Sequence, residues 1–159
     1  MKKARRVVAL LFAVLMITAV MSVSVSATAN TTDRLLTNIE LSFYYYSDLI
    51  EPQYKFNTTP VYLYITDSGY AKANGVCVQA FGYNSSSDCA NLTVRLGALV
   101  DPSGGVFCYE DVQQSIRNLI YERNYFQASL RFKSGNTTGD TIFRALWSPD
   151  STRTYTVAS

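Results

Sequence analysis

The chain has 159 residues, with 14 Lys and Arg against 12 Asp and Glu, and contains no histidine. The lack of histidine excludes Ser-His-Asp and Cys-His machinery and removes a ligand from most zinc sites. Four of the positive charges (Lys2, Lys3, Arg5, Arg6) stand in the first six residues; the remainder keeps 10 basic against 12 acidic side chains, no electrostatic footprint for a nucleic-acid surface.

Those four charges precede an apolar or small run from Val7 to Met21, and Val25-Ser26-Ala27 and Ala27-Thr28-Ala29 offer small-residue cleavage sites. These are the three regions of a secretory signal peptide, expected to be cleaved after Ala27 or Ala29. The run, about 15 residues, is short of the roughly 20 that cross a bilayer as a helix. The expectation is a signal peptide over 1–27 and one secreted, extracellular β domain over 28–159, with no membrane span after cleavage. The 12 Tyr, 8 Phe and sparse charge suit β structure.

From Asn38 the pattern alternates, Ile39, Leu41, Phe43 and Tyr45 against Glu40, Ser42, Tyr44 and Tyr46, which predicts a half-buried strand over 38–46. Residues 47–60 carry two prolines and read as a long connection with a short edge strand near 54–56. Val61, Leu63 and Ile65 point inward from a strand over 61–66, with Tyr62 and Tyr64 outward. Strands over 76–83 and 92–100 are expected to form a hairpin with a long polar tip at 84–88. Asp101-Pro102-Ser103-Gly104-Gly105 is a turn signal before a short strand over 106–109. Residues 111–121 fit helical spacing (Val112, Ile116, Leu119, Ile120, with Asp111 as N-cap) and also a strand (Ile116, Asn118, Ile120); a short helix or turn is expected. Strands over 126–133 and 141–147 follow, Pro149 ending the last, and Trp147 is expected to plug the core. Short strands with turn signals about every ten residues, and no alternating helices, predict an all-β antiparallel sandwich or flattened barrel of about seven strands.

Cys77, Cys89 and Cys108 are the only cysteines, and none forms a Cys-x-x-Cys pair. In an exported chain the expectation is one disulfide and one leftover thiol, with no metal site. Cys89, on the polar tip, is where a staple restrains most chain entropy; paired with Cys108 it is worth about 3 kcal/mol, and Cys77 with Cys89 is the alternative. Glu110, Asp111 and Glu122 are examples of acids open to a glycosidase-type pair, although twelve scattered acids supply such pairs by chance, Asp111 fits a turn cap and Glu122 a local ion pair with Arg117 or Arg123. Tyr44 and Tyr46, with Tyr62 and Tyr64, form one aromatic binding platform if their strands pair, or else cover the second face of a sandwich sheet. Asn-x-Ser/Thr occurs at Asn30, Asn57, Asn84, Asn91 and Asn136; these are read as turn chemistry.

At Tyr121-Glu122-Arg123-Asn124-Tyr125 through Ala128-Ser129-Leu130, and at Leu146-Trp147-Ser148-Pro149-Asp150-Ser151, the chain resembles small secreted proteins of Gram-positive bacteria, a family with no assigned function. The resemblance covers the C-terminal half. It implies a bacterial exported domain of similar size and supplies no active site. The functional expectation is a non-enzymatic binding module without cofactor, acting on a glycan or another cell-envelope component, or in the surrounding medium. A bacteriocin-like secreted toxin and a carboxylate-dependent glycoside-active enzyme are the alternatives.

Overall fold

Period-two alternation demands that each strand bury one face, and the chain meets that demand with two sheets. The structure is a computed structural model that describes residues 28–68, 75–94, 104–134, 140–152 and 155–158; the expected leader lies outside them. Its strands are β1 (Arg34–Leu41), β2 (Gln53–Tyr54), β3 (Val61–Ser68), β4 (Val76–Ser85), β5 (Asp88–Asn91), β6 (Val106–Cys108), β7 (Gln113–Ile116), β8 (Gln127–Ser134), β9 (Asp140–Ser148) and β10 (Thr156–Val157). One sheet runs β1-β9-β3-β7-β10; the other runs β2-β8-β4-β5, with β6 sharing the second edge of β4. Strand pairing is antiparallel except for β10 on β7. The fold is the all-β, sandwich-like class expected, with ten strands among the described residues where about seven were anticipated; the unanticipated β7 and β10 are four and two residues long.

The core fills the space between the sheets. Val61, Leu63 and Ile65 of β3 and Ala145 and Trp147 of β9 face Val76, Val78 and Ala80 of β4 and Ala128, Leu130 and Phe132 of β8, all fully buried or nearly so. Leu63 pairs with Trp147 in the first sheet, and Val78 with Phe132 in the second. Trp147 is thus the core plug its position suggested.

The first strand departs from the expected 38–46. It begins at Arg34 and ends at Leu41, pairing with β9. Asn38, at φ 54, kinks it, so that Leu36 and Ile39, three apart, both pack on the core. Beyond Leu41 the chain crosses to the other sheet and runs along the open edge of β8. Ser134 N donates to Ser42 O (3.1 Å), Ser47 N to Phe132 O (2.7 Å) and Ile50 N to Leu130 O (3.1 Å), before β2 completes the ladder. An edge that would otherwise present unpaired backbone groups is covered in this way.

Residues 111–121 form no α-helix. Asp111 is at φ 61, a left-handed conformation that no helix start uses, and β7 follows, pairing Gln113 and Ser115 with Tyr64 and Tyr62. A 3-10 turn, Tyr121–Arg123, closes the segment. Tertiary pairing overrides the helical spacing, because central strand β3 needs a second partner. Gln114, buried, accepts from Tyr109 N (2.6 Å) and donates to Phe107 O (3.3 Å), tying β7 to β6. The β4–β5 hairpin is also tighter than expected: Ser85 pairs with Asp88, so most of the anticipated long tip is strand. Its expected partner 92–100 is replaced by β5, and residues 95–100 lie outside the described residues.

Candidate functional site

The sequence feature that organises the site is an inward lysine between two outward aromatics. In Tyr54-Lys55-Phe56 the alternation turns both rings to solvent, stacked within 8° at 6.2 Å between centroids, and points Lys55 into the protein. A buried ammonium is tolerated only when its donors are filled and its charge is met. Lys55 Nζ donates to Asp150 Oδ1 (2.8 Å), Pro149 O (2.7 Å) and Thr59 O, and both side chains of the ion pair are wholly solvent-free. Burial pushes Lys55 below its ordinary 10.5, and the hydrogen bond and charge of Asp150 pull it part of the way back.

The other carboxylate oxygen is equally occupied. Asp150 Oδ2 accepts from Asn30 N (2.8 Å) and Phe56 N (3.0 Å), and Thr59 Oγ1 donates to Oδ1 (3.3 Å). Asn30 Nδ2 donates to Tyr54 O (2.7 Å), and Ser151 N to Thr59 Oγ1 (3.1 Å). One ion pair therefore locks together the entry to β1, the loop after β2 and the exit from β9.

On the outer side of this lock is a cleft of about 180 Å³. Its floor is a row across the first sheet. Ser148 pairs with Tyr62, which pairs with Ser115, and Asp33 stands at the start of β1 beside the same row. Tyr155 lies against Tyr62, centroids 4.7 Å apart at 36°, and buries it. Thr31, Ser151 and Thr152 supply hydroxyls at the rim. The cleft is therefore an aromatic pair bordered by one carboxylate and several hydroxyls, with a second carboxylate, Asp150, whose oxygens are already committed.

The structure divides the four tyrosines of the anticipated platform. β9 lies between β1 and β3, so the two segments do not pair. Tyr62 is in the cleft and Tyr64 one row along the same outer face, next to Leu146 and Leu35. Tyr44 and Tyr46 lie in the crossing segment. Tyr44 is exposed; Tyr46 contacts Cys77 Sγ through its hydroxyl (3.3 Å), with Lys133 over its ring.

The expected Cys89–Cys108 bridge is not made, nor is Cys77–Cys89: all three cysteines are free thiols. Cys89 faces Tyr83 and Cys108 faces Val76, seven residues apart on β4 and so separated by roughly 23 Å along the strand. The tight hairpin places Cys89 at the far end of β4. Cys77 and Cys108 stand on neighbouring strands but in successive rows, on opposite faces of the sheet. Burial raises the Cys108 thiol well above its ordinary range, and the neighbouring Cys77 adds to this.

The candidate acids fall in two places, Glu110 and Asp111 just before β7 and Glu122 in the 3-10 turn. Glu110 bridges to Ile65, with one buried carboxylate oxygen lacking a hydrogen-bond partner, whereas Glu122 lies near enough to Lys55 to act on its charge. Two of the Asn-x-Thr sequences are turns as read: Asn57 Oδ1 accepts from Thr59 N (2.9 Å) and Asn91 Oδ1 from Thr93 N (3.1 Å). Lys55, Asp150, Asp33 and Tyr155 were not singled out from sequence. A charged residue in the inward register of an aromatic-flanked strand was the signal available for Lys55. Among the described residues no group of three or more Cys, Asp or Glu side chains could hold a metal, and no helix is long and apolar enough to cross a membrane. Comparison with protein-family models, curated proteins and solved structures gives no match.

Proposed function

We propose that the domain is a non-enzymatic, secreted binding module whose cleft takes a neutral polyhydroxylated ligand, one sugar ring of a cell-envelope or extracellular glycan. The observation that carries this reading is the half-buried Tyr155 ring, backed by the buried Tyr62, set beside Asp33 and the hydroxyls of Thr31 and Thr152. Aromatic rings receive the apolar face of a sugar, while carboxylate and hydroxyl groups receive its hydroxyls. At about 180 Å³ the cleft is smaller than the roughly 300–1,000 Å³ of pockets for drug-sized ligands, which suits one ring of a longer chain. Binding rather than hydrolysis is favoured because both oxygens of Asp150 are engaged by Lys55, Thr59 and backbone amides, leaving Asp33 without a second available acid in the cleft. A glycan panel read by calorimetry tests the assignment. Tyr155→Ala and Asp33→Asn are each expected to weaken the best ligand at least about tenfold, or about 1.4 kcal/mol. Unchanged affinity in both variants, or release of reducing ends from the bound glycan, would overturn it.

A further inference from the structure

The buried ion pair is arranged for more than charge compensation. Each of the three hydrogens on Lys55 Nζ has its own acceptor: Thr59 O, Pro149 O (2.7 Å) and Asp150 Oδ1 (2.8 Å). Of these only the carboxylate can take a proton at modest cost. Once it has done so, the two remaining N–H bonds stay on the carbonyls and the nitrogen lone pair points at the carboxyl group. Asp150 is polarised to match. Its Oδ2 accepts from two backbone amides, Asn30 N (2.8 Å) and Phe56 N (3.0 Å), as a developing oxyanion would, whereas Oδ1 faces the amine, with the Thr59 hydroxyl at 3.3 Å. Neither side chain has solvent access, so desolvation favours the neutral amine and the neutral acid over the ions, and no water competes for the carboxyl carbon.

We propose that Lys55 and Asp150 condense within the folded domain to a side-chain amide, a covalent cross-link between the residue that follows β2 and the exit from β9. A first proton moves from Nζ to Oδ1, leaving an amine beside a carboxylic acid. Nζ then attacks Cγ, the new N–C bond forms, and the electron pair of the Cγ–Oδ2 double bond moves onto Oδ2, where the amides of Asn30 and Phe56 hold it. On collapse that pair returns, the Cγ–Oδ1 bond breaks, a second Nζ proton goes to Oδ1, and one water leaves toward the cleft that Asp150 borders. The third hydrogen stays as the amide N–H, within reach of Thr59 O and Pro149 O. The step is a dehydration and needs no co-reactant; fixed placement of amine and carboxyl stands in for chemical activation of the acid. The ion pair is the precursor, and until the bond forms the stability and titration of the site are those of two ions. The cross-link joins positions 95 apart and closes a ring that contains β3 to β9, in a chain whose three cysteines are free. It restrains the unfolded chain as a long-loop disulfide does, and a reductant does not open it.

Intact mass spectrometry of the purified protein in denaturant reads the condensation directly. After incubation in the folded state until the mass is constant, the chain is expected to be lighter by one water than the sequence from its observed N-terminus requires. Trypsin is expected to release a branched peptide that joins residues 35–72 to residues 145–153 and is uncut at Lys55. Lys55→Arg keeps the positive charge but cannot give up its proton, so that variant is expected to hold the full mass and to migrate more slowly than the parent in denaturing electrophoresis. Tyr155→Ala alters the cleft and not the pair, and is expected to leave the cross-link in place, so that loss of glycan binding and loss of the bond are separate results. A parent chain that stays at full mass, with Lys55 recovered at the cut end of a linear tryptic peptide, overturns the proposal. So does a Lys55→Arg chain that is one water short, or a water loss that the peptide map places away from Lys55 and Asp150.

Discussion

Replacing Lys55 by methionine keeps the length and most of the volume of the side chain and removes its charge. The Asp150 carboxylate would then keep its amide donors from Asn30 and Phe56 but lose its counter-ion in a site with no solvent access. Removing one partner of such a pair typically costs about 3–5 kcal/mol, because the other charge is left buried and uncompensated. For a domain of this size that corresponds to a fall of about 10–20 °C in unfolding temperature. Asp150→Asn should cost a similar amount, since a carboxamide meets Lys55 without charge. The double variant should cost less than the two single changes added together, by about 2–3 kcal/mol, because each single change strands the same partner. Urea unfolding followed by circular dichroism and by Trp147 emission measures all three variants. A Lys55→Met protein within about 1 kcal/mol of the parent, or strict additivity, would mean that the pair does not lock the three segments together and that they hold by packing alone.

The same lysine gives a pH signature. Burial holds Lys55 below its ordinary 10.5, so in the alkaline window beneath that value the unfolded chain binds a proton that the folded chain has lost. Stability from this group therefore rises with pH there. The difference in unfolding free energy between parent and Lys55→Met should widen as pH rises toward 10.5; a gap that narrows would reverse the assigned direction. Reducing agent should leave the unfolding temperature unchanged, and Cys108 should resist alkylation until the protein is unfolded, while a non-reducing peptide map linking Cys89 to Cys108 or to Cys77 would contradict the structure. At Gly105 an added Cβ would lie 2.6 Å from Cys77 Sγ and 2.7 Å from Val78 O. The backbone oxygen cannot swing aside, so Gly105→Ala should cost about 1–3 kcal/mol in urea unfolding.

The strands that were legible are those whose inward residues are apolar and regularly spaced. Val61, Leu63 and Ile65, and likewise Val76, Val78 and Ala80, announce their faces without reference to any partner. β1 was displaced because Phe43 and Tyr45 continue its alternation beyond the point where the chain changes sheets, and because Asn38 breaks the alternation within the strand. β7 was hidden because polar Gln114 and Ser115 occupy buried positions, the Gln114 amide being satisfied by the backbone of Tyr109 and Phe107. The site was least legible of all. Two of its expected tyrosines reached the outer face of the first sheet, but the residues that set the cleft beside a fixed frame, Asp33, Lys55, Asp150 and Tyr155, come from four separate segments, and only tertiary structure shows that they meet.

The crossing from β1 to the edge of β8 bears on the order in which the chain can fold. The N-terminal strand has no local partner: Arg34 lies opposite Trp147, and the following segment lies along β8 at Ser134, Phe132 and Leu130. Such distant pairings are slow to form, since the intervening loop must be closed before any contact is gained. A chain emerging with its N-terminus first would have all strands of the second sheet once β8 had followed, but the first sheet would wait for β9 and β10. The hairpin of β4 and β5 could form early, but β1 would wait for β9, the ion pair for Asp150 and the cleft for Tyr155. Truncation before Asp150 should therefore abolish cooperative folding rather than trim one edge, and the cleft would come into being only once the segment that carries Ser148, Asp150 and Tyr155 is present.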